Sequence, residues 1–232
     1  MNQLENLTII IVTYKTDNEI LKNCLNSIDK NVKIKIIENS FKSNENEFSI
    51  KQNDKISINY TGKNLGYGGG NNYGFNLTET DFALVANPDI IFEKDFFEKI
   101  KDYLDQDLDF SIIGAQYKKD KVFLPCGLFE ENKKKNYNQN IVSRSGKNFD
   151  ELKKVDWITG CLMLINLKKF NSKKLFDENF FLYFEEFDLC KREGLSGGSV
   201  FSSSKLLIHH LGFKGSIGAN QEMEQDANKL RE

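Results

Sequence analysis

The sequence predicts an α/β fold built on a mostly parallel, doubly wound sheet with helices on both faces. Two observations predict it. Short apolar runs rich in β-branched residues recur along the first hundred residues, with apolar residues at helical spacing between them. Three of these runs end abruptly in polar groups: Thr13-Tyr14, Glu38-Asn39 and Asn87-Pro88-Asp89. Strands that alternate with helices pair in parallel, and ligands of such sheets bind beyond the carboxyl ends of the strands.

Leu7 to Val12 is a continuous apolar run, as in a strand buried on both faces. Ile20, Leu21, Cys24, Leu25 and Ile28 recur at helical spacing after a polar loop. Val32 to Ile37 and Ile56 to Tyr60 read as the second and third strands. The glycine-rich stretch Asn64 to Asn72 reads as a loop, with a short helix starting inside it and running toward Leu77. Phe82 to Ala86 is a fourth buried strand, and Phe96, Phe97, Ile100 and Leu104 mark another helix. Ile112-Ile113 suggests a strand, and the polar stretch Glu130 to Ser145 a loop. Trp157 to Ile165 reads as one strand interrupted by Gly160, Phe176 to Arg192 as a loop and helix, and Ser196 to Ser204 as a turn and edge strand. Leu206-Leu207-Ile208 leads into His209-His210.

The chain has 232 residues, 39% hydrophobic and 12% aromatic, enough for a sizeable core. No linker composition or internal repeat divides it. Its 32 basic and 34 acidic side chains nearly cancel, which gives no push toward nucleic acid. Cys24, Cys126, Cys161 and Cys190 contain no Cys-x-x-Cys pair, fit neither a zinc site nor a disulfide framework, and point to a reducing cytoplasm. The N-terminus lacks the cationic and apolar regions of a signal peptide, and no apolar run approaches the ~20 residues of a membrane span. Lys133-Lys134-Lys135 and Lys168-Lys169 could make peripheral contact with anionic lipid, although solvated surface charge accounts for them as well.

The densest chemistry lies in Phe176 to Arg192, where five carboxylates are interleaved with six aromatic rings. Rings favour burial and carboxylates favour water, so this segment belongs where a core meets a wet cleft. Such a cleft raises a carboxylate pKa toward the range of a general base; a solvated acidic helix face is the competing reading. Asp89, after a strand-stopping Pro88, suits a divalent cation as a hard oxygen ligand, although Asn, Pro and Asp also make ordinary turns. His209-His210 ends a strand as metal ligands or as packed side chains. The glycine-rich stretch would let backbone N–H groups approach an anion, but it follows a later strand than a dinucleotide fingerprint would.

Together these pieces resemble a family 2 glycosyltransferase of the GT-A fold, on the rhamnosyltransferase-like branch. The matching residues are Ile11 to Tyr14, Asn64 to Asn72, Asn87-Pro88-Asp89, Trp157 to Gly160, Phe176-Asp177-Glu178 through Arg192, and His209 to Gly212 with Ser216. Their order spans roughly residues 5 to 218. The resemblance implies one Rossmann-like GT-A domain over 1–232, with a small antiparallel acceptor-side sheet. Its nucleotide-binding half would be about 1–115, its acceptor and catalytic half about 116–220, and its tail 221–232.

The implied reaction is inverting transfer of a sugar from a nucleoside diphosphate donor, dTDP- or UDP-linked, to an acceptor hydroxyl of a glycan or lipid-linked glycan. dTDP-rhamnose is the donor the branch suggests. By the same resemblance, Thr13, Tyr14, Glu38, Asn64 and Gly66 would contact the nucleotide, Asn87 and Asp89 would stand for the family's Asp-x-Asp, and Trp157 and Gly160 would shape the sugar pocket. Asp89, with His209, would hold Mg²⁺ or Mn²⁺. Glu186 falls at the catalytic base, with Glu185 and Asp188 as alternatives.

Three departures accompany the match. Glu38 and Glu186 stand where relatives usually have Asp, and the sequence stops at Arg231-Glu232, where relatives often continue. They motivate an alternative, a non-catalytic or truncated nucleotide-sugar-binding module. A dinucleotide-dependent oxidoreductase is a third reading that rests on the glycine stretch alone.

Overall fold

The computed structural model describes residues 3–43, 48–104, 108–119, 122–125, 127–128 and 150–212. Its elements run β1 (Leu7–Thr13), α1 (Asn18–Asn26), β2 (Lys33–Glu38), β3 (Ile56–Tyr60), α2 (Gly66–Asn76), β4 (Phe82–Ala86), β5 (Ile90–Phe92) and α3 (Phe96–Ile100). They continue as β6 (Ile112–Lys119), β7 (Val122–Pro125), β8 (Gly127–Leu128), β9 (Leu152–Lys154), β10 (Trp157–Ile158), β11 (Leu162–Asn166), α4 (Glu185–Leu195) and β12 (Val200–His210).

The main sheet has the order β3-β2-β1-β4-β11-β6-β12-β5, with β7 added to β6 and β9 to β12. Strands β3, β2, β1 and β4 are parallel, as the alternation with helices predicts. β11 then enters antiparallel between β4 and β6, and β12 runs parallel to β6. β8 and β10 form a separate two-stranded antiparallel sheet. The fold is α/β with its sheet covered on both faces.

β1 shows how the sequence builds this. All seven of its residues are buried, and the pleat sends alternate side chains to opposite faces. Ile9 and Ile11 join one core with Leu21 and Cys24 of α1 and with Phe96 and Ile100 of α3. Ile10 and Val12 join a second core with Phe75 of α2 and Leu189 and Cys190 of α4. Each such side chain contributes roughly 1.5–3 kcal/mol of transfer free energy. Asp17 starts α1, its Oδ1 accepting from the Glu19 and Ile20 N–H groups at 2.7 and 3.2 Å.

Two readings of the sequence need correction, and one is extended. The helix expected to begin inside the glycine-rich stretch does so at Gly66 and ends at Asn76, so α2 takes in most of the stretch. Propensity opposes this, but packing decides it. A Cβ at Gly74 would stand 2.5 Å from Ile10 Cγ2, and one at Gly70 2.8 Å from Val12 Cγ1. The helix backbone lies directly on β1, and only glycine permits that approach. Trp157 to Ile165 is not one strand, because the chain turns at Thr159-Gly160 and changes sheets between β10 and β11. Ser196 to Ser204 is not an edge, because β12 lies inside the sheet with β6 on one side and β5 and β9 on the other. The predicted loop at Glu130 to Ser145 lies outside the described residues. No helix among the described residues is long and apolar enough to cross a membrane.

Candidate active site

The carboxyl ends of β1, β2 and β4 open into a cavity of about 780 Å³. Thr13, Tyr14 and Asn39 line it from the first two strands, and Asn87, Pro88 and Asp89 from the third. Gly160 and Cys161, Phe181 to Tyr183, and Glu185 and Glu186 complete the lining.

Asp89 sits on the turn between β4 and β5 and is 2% exposed. β12 pairs antiparallel with β5, so His210 comes opposite Ile90, and the Leu211 N–H donates to the Asp89 carbonyl at 3.0 Å. His210 Nε2 then stands 3.2 Å from Asp89 Oδ1 and 3.4 Å from Asn87 Nδ2. Burial pulls the His210 pKa down, but the hydrogen bond and charge of Asp89 outweigh it and leave the imidazole above its ordinary value. Among the described residues no three His, Cys, Asp or Glu side chains gather into an all-protein metal cage. A single carboxylate at the mouth of a cavity nevertheless suits Mg²⁺ or Mn²⁺, which takes one or two carboxylates and completes its shell with water and substrate phosphate.

A further wall of the cavity begins at the start of α4. Tyr183 and Phe184 are both left-handed, with φ of 68° and 71°, a conformation that costs non-glycine residues energy and clusters at functional sites. The next two residues project inward as paired carboxyls. Glu185 is 4% exposed, and its Oε2 has no hydrogen-bond partner. Burial and the neighbouring charge of Glu186 push its pKa to about 8. Burial also raises Glu186, against backbone N–H groups that include those of Gly160 and Phe187 and hold its charged form. Glu186 Oε2 is buried without a partner. A Cβ at Gly160 would lie 3.6 Å from the Glu186 carboxyl carbon, so the missing side chain leaves that carboxyl room.

Stability follows from the Glu185 shift. Its folded pKa lies above the unfolded 4.5, so the native state binds more protons between pH 4.5 and 8, and stability falls as pH rises through that window. Glu185→Gln removes the titration. Its stability relative to the parent is expected to improve between pH 5 and pH 9 by on the order of a few kcal/mol. Denaturant melts at the two pH values check this, and an unchanged difference would mean that Glu185 ionises freely when folded.

The side of the cavity lined by Asn39, Asn64 and Gly66 is held by an amide network. Asn39 Nδ2 donates to Asn64 Oδ1 (3.0 Å) and to the Gly66 carbonyl (2.8 Å). Asn39 Oδ1 accepts from the Leu65 N–H, and Asn64 Oδ1 from the Gly66 N–H, each at 3.0 Å. Gly66 has φ +74°, and a Cβ there would meet Phe181 O at 2.2 Å; the Tyr67 N–H donates to that same oxygen at 3.0 Å. Tyr67 spans the cavity floor, its hydroxyl donating to the Gly160 carbonyl at 2.6 Å. Asn72 fixes the far segment, accepting from the Leu175 and Phe176 N–H groups and donating to the Phe176 carbonyl and to Glu178.

The profile of glycosyl transferase family 2 matches residues 8–172, well over half of the chain. The chain belongs to glycosyl transferase family 2. Among curated proteins it is similar to the low-salt glycan biosynthesis hexosyltransferase Agl10 of Haloferax volcanii, at 29% identity over 206 residues. The match covers 82% of this chain and 62% of that protein, so the chain spans less than two thirds of its relative's length. Among solved structures, GalNAc-T7 with UDP, GalNAc and Mn²⁺ superposes with a TM-score of 0.63 at 11% identity, covering 88% of this chain and 43% of that one. S. aureus TarS (residues 1–349) gives 0.58 at 14% identity, with coverages of 88% and 60%. The mannosyltransferase PcManGT of Pyrobaculum calidifontis, in complex with GDP-Man and Mn²⁺, gives 0.54 at 9% identity, with coverages of 88% and 56%. At these identities the likeness establishes the fold, which is GT-A.

Within this family 2 domain, Thr13, Tyr14, Asn64, Gly66, Asn87, Asp89, Gly160, Glu185 and Glu186 line one cavity. Four other residues singled out by sequence lie outside its lining. Glu38 is 1% exposed and faces inward, its carboxylate accepting from Thr13 Oγ1 and Ser40 Oγ, both at 2.7 Å. It buttresses β1, and the next residue, Asn39, faces the cavity. Trp157 packs edge-on against Phe187 behind the wall, ring centroids 5.7 Å apart. Asp188 pairs with Arg192 one turn along α4, at 2.8 Å. His209 turns to the other face of β12 and pairs with Glu93, because adjacent strand residues point to opposite sides; His210 is the one beside Asp89. Lys168 and Lys169 pair with Asp81 and Asp109 rather than forming a free basic patch.

Proposed function

We propose that this chain transfers a sugar from a nucleoside diphosphate donor to an acceptor hydroxyl with inversion at the anomeric carbon. The observation that carries the proposal is one cavity lined both by Asp89, at the strand ends, and by Glu186, at the start of α4. The diphosphate belongs at the Asp89 end and the reacting sugar between the two. Asp89, with Asn87 and His210 beside it, would hold Mg²⁺ or Mn²⁺. When bound, that ion would offset the negative charge that builds on the departing diphosphate.

Glu186 is the general base. Its backbone hydrogen bonds fix the carboxylate, and the unpartnered Oε2 accepts the acceptor's proton. The acceptor oxygen bonds to the anomeric carbon from the face opposite the leaving group. The bond from that carbon to the diphosphate oxygen breaks, and its electron pair leaves with the nucleoside diphosphate. Orientation of acceptor and donor in the enclosed cavity supplies much of the acceleration. Glu185, held protonated at neutral pH, keeps a second negative charge away from Glu186.

dTDP-linked rhamnose is the donor inferred from the resemblance of the motifs, with a UDP-linked hexose next. The acceptor is a glycan or lipid-linked glycan, with action in the cytoplasm or at the inner membrane face. The name of the Haloferax volcanii relative, a glycan biosynthesis hexosyltransferase, supports the glycan class. Three buried cysteines outside any disulfide, Cys24, Cys161 and Cys190, suit a reducing compartment.

The test is a panel of dTDP-rhamnose, UDP-glucose, UDP-N-acetylglucosamine and GDP-mannose, incubated with the protein and Mn²⁺ or Mg²⁺. Slow, metal-dependent release of the nucleoside diphosphate from one of them is expected. Binding without release of any would make the domain a carrier rather than a catalyst.

A further inference from the structure

Gly160 sits in the turn between β10 and β11, with no side chain of its own to anchor it. A Cβ built there would lie 3.5 Å from both Tyr67 Cε1 and Glu186 Cβ. Its N–H is one of the backbone donors that hold the Glu186 carboxylate. Its carbonyl accepts the Tyr67 hydroxyl at 2.6 Å. One glycine thus touches both groups and is hydrogen-bonded to each.

Tyr67 is itself fixed from several directions. Its N–H donates to the Phe181 carbonyl, and its carbonyl accepts from Asn71 Nδ2, both at 3.0 Å. Its ring packs edge-on against Phe176, centroids 6.4 Å apart. Burial, followed by the neighbouring charges of Glu185, Cys161 and Glu186, raises the phenol well above its ordinary value. The hydroxyl therefore keeps its proton and remains a donor. Tyr67 belongs to α2, which lies on β1 through Gly70 and Gly74. The hydroxyl is in this way referenced to the central sheet, and it ties the Gly160 turn to it.

We propose that Tyr67 is a positioning residue for the proton acceptor: its hydroxyl fixes the Gly160 turn, whose N–H holds the Glu186 carboxylate in place. The assignment rests on the reading of Glu186 as general base and adds to it the part that aims the base. An unanchored glycine turn leaves its peptide groups free to rotate. Misplacing a reacting group by about 1 Å can cost about 10²-fold in rate, so such an anchor matters.

The experiment uses Tyr67→Phe, which keeps the ring and removes only the donor. Release of nucleoside diphosphate from dTDP-rhamnose, UDP-glucose, UDP-N-acetylglucosamine and GDP-mannose, with water as acceptor, is followed against pH at saturating donor and Mn²⁺. Binding of dTDP, UDP and GDP is titrated in parallel. Release at neutral pH is expected to fall by about 5- to 50-fold. Nucleotide affinity should stay within about twofold, which also certifies the fold. The acid limb of the profile should move up by roughly half a pH unit or more, because a loosened Gly160 N–H no longer favours the charged carboxylate. The titratable groups that interact with Glu186 are Glu185, Tyr67 and Cys190. Burial raises all three, so below neutral pH they are uncharged and the limb belongs to Glu186. A variant that keeps the parent's rate, loses release with its limb unmoved, or loses nucleotide affinity in step overturns the assignment and leaves Tyr67 a packing residue. If the parent releases nucleoside diphosphate from none of the four donors, the reading of Glu186 as a base falls, and the assignment falls with it.

Discussion

Glu186→Gln is expected to lower sugar transfer by about 10²- to 10⁴-fold, the usual contribution of a positioned general base. Nucleotide affinity should stay within about twofold, because Glu186 sits at the start of α4 and the proposed diphosphate end at the Asp89 turn after β4. The substitution is close to isosteric. The amide can still meet some of the backbone donors that hold the carboxylate, so the fold should survive. What it loses is a site for the acceptor's proton. The measurement is release of nucleoside diphosphate with and without acceptor, alongside titration with the free nucleotide. Full turnover in the variant would remove Glu186 from the chemistry and turn attention to Glu185, the other carboxyl on the wall.

Asp89→Asn should have the opposite signature. It keeps the shape of a nearly fully buried side chain but removes the charge that would hold a divalent ion. Mn²⁺-dependent tightening of diphosphate binding should disappear, a loss on the order of 100-fold if the ion supplies several kcal/mol. Nucleoside binding through the Thr13, Tyr14 and Asn64 side should remain. Titration of UDP and dTDP with Mn²⁺ and with EDTA distinguishes the outcomes. An unchanged metal response would move the ion away from Asp89. The two variants together separate the poles of the site: one should bind without reacting, and the other should bind poorly.

Much of this was legible before any coordinates. β1 and β4 end within a residue of their sequence-based bounds because buried apolar runs are uniform and stopped by polar turns. The clustering of Thr13, Asn87 and Asp89 at one cavity follows from parallel topology alone. Other features depended on information that a linear pattern does not hold. Whether His209 or His210 meets Asp89 is a question of strand parity, fixed by the β5–β12 register. The same parity separates buried Glu38 from cavity-lining Asn39. The helical state of Gly66 to Gly70 is set by contact with Ile10 and Val12, against local propensity. Tyr67 carries no distinctive local signal, since a tyrosine in a glycine run is common as a packing residue. Tyr67 would have been found only by asking which ring can reach the Gly160 carbonyl across 93 positions of sequence.

The antiparallel entry of β11 beside β4 has a mechanical consequence. The Asn87 N–H donates to the Cys161 carbonyl at 3.0 Å, so the turn bearing Asp89 and the turn bearing Gly160 are neighbours in one ladder. Strand spacing of about 4.8 Å therefore sets the offset between the Asp89 turn and the Gly160 turn beside Glu186. That spacing is built in when the sheet folds.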